Sequence, residues 1–103
     1  MLADRVAWRR RSVARHYVGT LSSGAGGLRF VGREPSSGME VSLSIPYGEI
    51  GEVRISGSDG ERLVGEDSVV LEFVDSEPIL LREIGLGQLR PKALAARLKE
   101  ALR

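Results

Sequence analysis

Hydrophobic and polar positions alternate most regularly between residues 39 and 56. The first run has apolar residues at every second position, with polar residues between them: Met39, Val41, Leu43 and Ile45 alternate with Glu40, Ser42 and Ser44. A period of two is typical of a strand with one face on a core. Pro46 and Gly48 then break the strand, and a second run places Val53 and Ile55 inward. The sequence therefore predicts two strands joined by a sharp corner.

Similar runs predict further strands on both sides of this corner. The expected strands are 12–21, 28–31, 62–64, 68–75 and 79–84. Residues 22–27 are rich in glycine and serine and are predicted to form a hairpin loop. Both faces of 79–84 carry apolar residues, so the pattern leaves open which face of that strand meets the core.

The period changes near the end of the chain. Leu94, Leu98 and Leu102 recur at helical spacing, and Pro91 suits a first-turn position, so a C-terminal amphipathic helix is predicted. At the other end, the four-residue spacing of Leu2 and Val6 fits a short helix or a frayed arm. We predict a basic N-terminal arm or short helix over 1–11, and one mainly β domain of six or seven strands and a closing helix over 12–103.

Composition narrows the classes of protein to which the chain can belong. Its 103 residues, 42% hydrophobic and 28% charged, suit one soluble globular domain. The apolar runs are too short to span a bilayer, and the basic start lacks a signal-peptide core, so we expect a cytoplasmic protein. The chain has no cysteine and one histidine, His16, which argues against disulfides, thiol chemistry and the usual zinc or iron sites. No metal or cofactor is predicted.

The sequence offers little for catalysis. His16 would act as a general base only with a hydroxyl or carboxylate within hydrogen-bond reach. The Gly24-Ala25-Gly26-Gly27 run lacks the Gly-Lys-Ser/Thr ending of a phosphate-binding loop and precedes a strand rather than a helix. We therefore predict a binding module with no catalytic residue.

Charge is concentrated at the start of the chain. Residues 1–15 contain five arginines and one aspartate, a local charge of +4, so the overall charge of +1 leaves −3 for the remainder. The Arg9-Arg10-Arg11 cluster beside Trp8 is a candidate for binding phosphates or a lipid headgroup. The alternative is a solvated basic arm whose Trp8 packs on the domain. Nucleic acid is disfavoured as a ligand because the rest of the chain is acidic.

Several short stretches carry a resemblance to a known family. They are Gly19-Thr20-Leu21, Gly27-Leu28-Arg29-Phe30, Ser44-Ile45-Pro46-Tyr47-Gly48-Glu49-Ile50 and the closing helix. Over about residues 13–103 the chain resembles the pleckstrin-homology-like superfamily, in particular its bacterial members and the GRAM domains. The resemblance implies a bent antiparallel barrel plugged by the C-terminal helix. It also implies an anion site around the first hairpin, which on this chain would involve Arg15, Arg29 and Arg33.

A second, weaker resemblance concerns the PilZ domains, which are β-barrels that bind cyclic di-GMP. It rests on Arg11-Ser12-Val13-Ala14-Arg15 followed by the stretch from Ser23 to Phe30. This resemblance implies a cyclic dinucleotide as the ligand.

Two functional hypotheses follow from these observations. The favoured one is protein interaction or self-assembly through strand edges, or through an apolar outer face around Val70 and Val74. The alternative is a reader of anionic ligands or of a membrane surface, with these candidate binding residues: Arg9, Arg10, Arg11, Arg15, Arg29 and Arg33. A protein partner or a second copy of the chain is the expected partner.

Overall fold

The computed structural model describes residues 3–61, 63, 67–84 and 91–102. The strands are β1 Ala3–Arg10, β2 Tyr17–Ser23, β3 Gly27–Arg33, β4 Glu40–Pro46, β5 Ile50–Ser56, β6 Ser68–Phe73 and β7 Ile79–Glu83, and helix α1 is Pro91–Ala101. Short 3-10 turns occupy Tyr47–Glu49 and Asp59–Glu61. The predicted mainly β fold with a C-terminal helix is confirmed, and Pro91 is the first residue of that helix as expected.

All seven strands belong to one antiparallel sheet in the order β4-β3-β2-β1-β7-β6-β5. The two edge strands, β4 and β5, are consecutive in the chain and are joined by Tyr47–Glu49 at the predicted corner. They do not pair with each other. The sheet is therefore bent but not closed, which corrects the predicted barrel.

Strand β1 lies in the middle of the sheet. It pairs with β2 on one side and with β7 on the other, and Val6 and Trp8 are buried in the core. The predicted arm or short helix is therefore wrong for residues 3–10. The spacing of Leu2 and Val6 suggested a helical face, but burial of Val6 and Trp8 follows the period of a strand. The strand predicted from residue 12 also begins later, at Tyr17.

Glycines lie where the backbones of β2, β3 and β4 approach most closely. Gly19 and Gly32 are cross-strand partners, and a Cβ on Gly19 would lie 2.1 Å from the carbonyl oxygen of Val31. A Cβ on Gly27 would lie 2.3 Å from the carbonyl oxygen of Ile45. These contacts are with backbone atoms, which cannot rotate away. The absence of side chains at these positions therefore permits the close approach of these strands.

The core lies against one face of the sheet and is covered by α1. Leu28, Phe30, Ile45 and Val53 face it, as the alternation predicted. Leu94 and Leu98 of α1 are also buried there, and the helix packs on β5, β6 and β7.

Two residues predicted to face the core do not contribute fully to it. Ile55 is 44% exposed because it lies on an edge strand, near one margin of the sheet. Met39 is 58% exposed because it precedes β4 and lies outside the alternating strand.

A second buried layer covers part of the opposite face of the sheet. Val70 of β6 and Leu80 of β7 are cross-strand partners, and both are fully buried outside the main core. Residues 57–61, which follow β5, lie over this face, where Gly60 accepts a hydrogen bond from Arg9 and Leu63 is buried. Both faces of β7 are therefore covered, which explains its two apolar faces. The prediction of an exposed apolar face around Val70 is wrong, although Val74 is 69% exposed.

Candidate functional site: the free edge of β4

The backbone of β4 is paired on one side only. Its register with β3 runs from Gly27 opposite Pro46 to Arg33 opposite Glu40. No strand of the described ranges lies on its other side. Alternate N–H and C=O groups of an antiparallel edge strand point away from its neighbour and are available to another chain. The outer side of β4 is therefore a seven-residue docking edge.

The side chains of β4 divide between the two faces of the sheet. Val41 and Leu43 are half-buried and pack against the core, while Ile45 is fully buried. Ser42 and Ser44 are exposed on the other face, as is Glu40 at the start of the strand. The strand thus offers half-covered apolar groups on one face and small uncharged groups on the other.

The two edges of the sheet differ in their protection against a partner strand. Strand β5 carries the charged residues Glu52 and Arg54 and a register irregularity between Ile50 and Glu52, and α1 packs against it. Charges, bulges and covering helices are the usual means by which proteins block edge pairing. Strand β4 is regular, and its only blocking residues are Glu40 and Pro46 at its two ends. Of the two edges, β4 is the accessible one.

Hydrogen bonds hold both ends of β4 in place. At its carboxyl end, the Tyr47 hydroxyl donates to the Gly24 carbonyl at 2.6 Å, and the Tyr47 N–H donates to Gly26 at 3.3 Å. At its amino end, Glu34 N–H donates to Met39 O at 2.9 Å, and Gly38 adopts a φ of 74° that favours glycine. The edge is thus pre-arranged in an extended conformation, which lowers the entropy lost on binding.

A groove runs across the outer face of the sheet beside β4. Its volume is about 690 Å³, and its lining includes Arg5, Val18, Val31, Arg33 and Ser42. Arg5, Thr20, Val31 and Ser42 form one cross-strand row over β1 to β4. Val31 is 48% exposed in the middle of this row. A strand added at β4 would extend the groove by one more row of side chains.

The six arginines proposed as an anion site are spread over several parts of the molecule. The Arg9 guanidinium donates to backbone carbonyls of Arg11 and Gly60 at 2.8 and 3.1 Å. Arg11 approaches Glu61 at 3.9 Å, Arg15 pairs with Glu34 at 2.7 Å, and Arg33 approaches Glu40 at 3.8 Å. Arg10 is half-buried at the end of β1, opposite Ile79, and Arg29 is exposed on the outer face of β3. Four of the six therefore contact oxygen atoms of the chain itself.

His16 lines a small depression with Arg15, Glu34 and Ser36, of about 360 Å³. Hydrogen bonds from Ser37 and Ser36, together with the charge of Arg15, lower the pKa of Glu34 below its ordinary value. Its carboxylate is therefore an anion fixed by the β3–β4 loop and Arg15. Within the part of the chain that the structure describes, His16 makes no hydrogen bond to Glu34 or Ser36.

An ion-pair cluster that the sequence did not reveal lies over β5 and β6. Arg54 donates to Glu61 at 2.6 and 3.0 Å and to Glu72 at 2.7 and 2.9 Å, and Ser56 donates to Glu61 at 2.9 Å. Hydrogen bonds from Arg54 and Ser56 lower the pKa of Glu61. In turn, the carboxylates of Glu61 and Glu72 raise the pKa of Arg54. The cluster fixes the 57–61 segment on the outer face. The residues of the cluster are at most 18 positions apart in the sequence, but only the pairing of β5 with β6 brings them into contact.

The ion pairs of Arg54 with Glu61 and Glu72 should stabilise the fold in a pH-dependent manner. Replacing Glu61 with glutamine should lower the free energy of unfolding at pH 7 by about 1–3 kcal/mol, because Arg54 loses a charged partner. Because folding lowers the pKa of Glu61 below its ordinary 4.5, its stabilisation is complete above that pH and is lost as the pH falls through the folded pKa. Glu61→Gln should therefore show a weaker loss of stability on acidification. Urea unfolding of both proteins at pH 3 to 7 measures how the free energy of unfolding depends on pH.

The control for this prediction is Glu49→Gln, which removes one exposed carboxylate from the turn before β5, outside the cluster. Its unfolding free energy should follow the wild type at every pH. Equal pH dependence in Glu61→Gln and the wild type would contradict the assignment.

Comparison with known proteins gives no relative for this chain. No family model, curated protein or solved structure matches it. The resemblances to pleckstrin-homology-like, GRAM and PilZ domains thus stay predictions. Within the described ranges, no helix is long and apolar enough to cross a membrane, and no group of three or more histidine, aspartate and glutamate side chains is arranged to hold a metal ion.

Proposed function

We propose that this protein is a protein-interaction module that binds an extended segment along the free edge of β4. The observation that carries the proposal is the asymmetry of the two sheet edges. Strand β5 is bulged, charged and packed by α1, whereas β4 is regular and bears small or apolar side chains between its ends. An edge of this kind is suited to accept one more strand.

The side chains of β4 specify the chemistry of the bound segment. Main-chain hydrogen bonds to β4 supply affinity that is independent of sequence, and alternate side chains supply selectivity. On the core side, the segment needs apolar residues beside Val41 and Leu43, which are only half-buried. On the outer side, Ser42 and Ser44 leave room for polar residues. The expected ligand is a strand with alternating apolar and polar positions.

The alternative role as an anion reader draws less support from the contacts. Arg9, Arg11, Arg15 and Arg33 contact carbonyl or carboxylate oxygens of the chain. An anion would have to replace these partners, which reduces the net gain on binding. Binding at a strand edge replaces no strand partner in the described ranges.

A peptide titration tests the proposal. The probe is a synthetic peptide with the sequence of residues 39–46, extended by two lysines for solubility, added to isotope-labelled protein. Amide resonances of residues 40–45 should shift in a saturable manner, because the peptide N–H and C=O groups pair with the free side of β4. Those of Ile50–Ser56 should change several-fold less, because that edge is blocked.

The control peptide has the same composition in an order that removes the alternation of apolar and polar residues. It should bind at least several-fold more weakly, because its apolar residues cannot all face the core side. Absence of any shift along β4 of the monomeric protein, or equal shifts with both peptides, would overturn the proposal.

A further inference from the structure

We infer that the segment bound at β4 is the β4 strand of a second copy of this chain, paired antiparallel about a two-fold axis at Leu43. This inference rests on the proposed function and names its partner. It is based on the order of side chains within β4, which is complementary to itself when reversed.

The reversed strand places like groups opposite one another. With Leu43 opposite Leu43 of the second copy, Val41 lies opposite Ile45 and Ser42 lies opposite Ser44. These pairs follow from the seven-residue strand Glu40–Pro46, of which Leu43 is the midpoint. The three apolar residues of one copy therefore meet apolar residues of the other on the core side. On the outer side, small hydroxyl side chains meet each other.

The same register avoids repulsion between charges. Glu40, the only charged residue of β4, lies opposite the uncharged Pro46 of the second copy. Pro46 has no N–H to donate, and its position at the end of the paired segment removes at most a terminal hydrogen bond. Since like charges placed directly opposite destabilise paired strands, this arrangement favours the pairing.

Two-fold pairing at β4 also explains where the assembly would stop. An isologous contact uses the same surface on both copies, so both β4 edges are paired within the dimer and cannot bind a third copy. The outer edges of the joined sheet are then the two β5 strands, which carry a register irregularity and are packed by α1. The expected product is a dimer and not a fibre.

Paired substitutions at Ser42 and Ser44 test the inference on the full chain. Both side chains are exposed on the outer face, so charges there spare the core. In Ser42→Lys/Ser44→Lys, each lysine faces a lysine of the second copy, and we expect the dimer dissociation constant to rise at least about tenfold. In Ser42→Lys/Ser44→Glu, each lysine faces a glutamate, so dimerisation should return to within about threefold of the wild type. Sedimentation equilibrium measures both, and circular dichroism checks folding.

The possible results separate this inference from the proposed function. Wild-type dimers that the double-lysine variant loses and the lysine–glutamate variant regains support the inference. A wild type that stays monomeric up to about 1 mM, a dissociation free energy of about 4 kcal/mol, overturns it. Retained dimers in the double-lysine variant, or lost dimers in the lysine–glutamate variant, also overturn it. If the peptide probe still shifts β4 of a monomeric wild type, the edge accepts an extended segment and the proposed function stands. If it does not, both fail.

Discussion

Replacing Gly19 with alanine is expected to lower the free energy of unfolding by about 3 kcal/mol or more. The new Cβ would lie 2.1 Å from the carbonyl oxygen of Val31 and 2.4 Å from the Cα of Gly32. Both atoms belong to the backbone of the paired strand, so relief requires β2 and β3 to move apart. Urea unfolding followed by circular dichroism measures the loss.

The matched control is Gly51→Ala, which places the same methyl group on another strand of the sheet. The nearest atom to the new Cβ would be the carbonyl oxygen of Glu72 at 3.7 Å, an ordinary contact. This variant should be unchanged or more stable by up to about 1 kcal/mol, because alanine restricts the unfolded chain. Equal stabilities for the two variants would show that β2 and β3 do not need a glycine at position 19 in order to pair.

Replacing Trp8 with alanine is expected to cost about 3–5 kcal/mol. Trp8 is 3% exposed, stacks on Tyr17 with ring centroids 4.9 Å apart, and meets Phe30 edge-on at the same distance. The substitution leaves a cavity among these rings in the middle of the sheet. Because Trp8 is the only tryptophan, unfolding must be followed by circular dichroism instead of fluorescence.

Two further variants serve as controls for Trp8→Ala. Val13→Ala changes a residue that is 39% exposed in the link between β1 and β2 and should alter stability by no more than about 0.5 kcal/mol. Trp8→Phe should lose less than Trp8→Ala, because it keeps a ring and removes a buried indole N–H that has no acceptor among the described residues. A Trp8→Ala protein as stable as the wild type would mean that β1 is a dispensable arm.

Local alternation was sufficient to predict much of the fold. In β3 and β4, Leu28, Phe30 and Ile45 face the core as their spacing indicated, and Leu94 and Leu98 of α1 do so at helical spacing. These segments pair with neighbours close in the chain or cover one face of the sheet. For such elements, the periodicity of a single segment carries the necessary information.

Elements that depend on distant partners were predicted less well. Val6 and Trp8 alternate with Arg5 and Arg9, a strand signal that the neighbouring arginines obscured. Val70 was assigned to an exposed face because nothing local shows that residues 57–61 and Leu63 lie over it. The Arg54–Glu61 pair was missed for the same reason, since the connection between β5 and β6 brings Glu61 back beside its own hairpin.

The candidate site was predictable only in part. Ser42 and Ser44 were correctly placed opposite Val41 and Leu43, so the chemistry of the strand could be derived from its sequence. Its position at an edge could not, because edge status depends on the order of all the strands. The irregularity between Ile50 and Glu52, which distinguishes the other edge, is likewise a property of the paired register.

The pairing of β1 with β7 has a consequence for how the chain folds during synthesis. Val6 is synthesised well before its partner Glu83, which follows only after β2 to β6 and most of β7. Until then, β1 presents an unpaired side in the middle of what will become the sheet. Such long-range pairing slows folding, because closing a long loop costs entropy before the contacts form. During synthesis, β1 therefore has an unpaired edge whose backbone groups can pair with another chain, until β7 is complete and pairs with it.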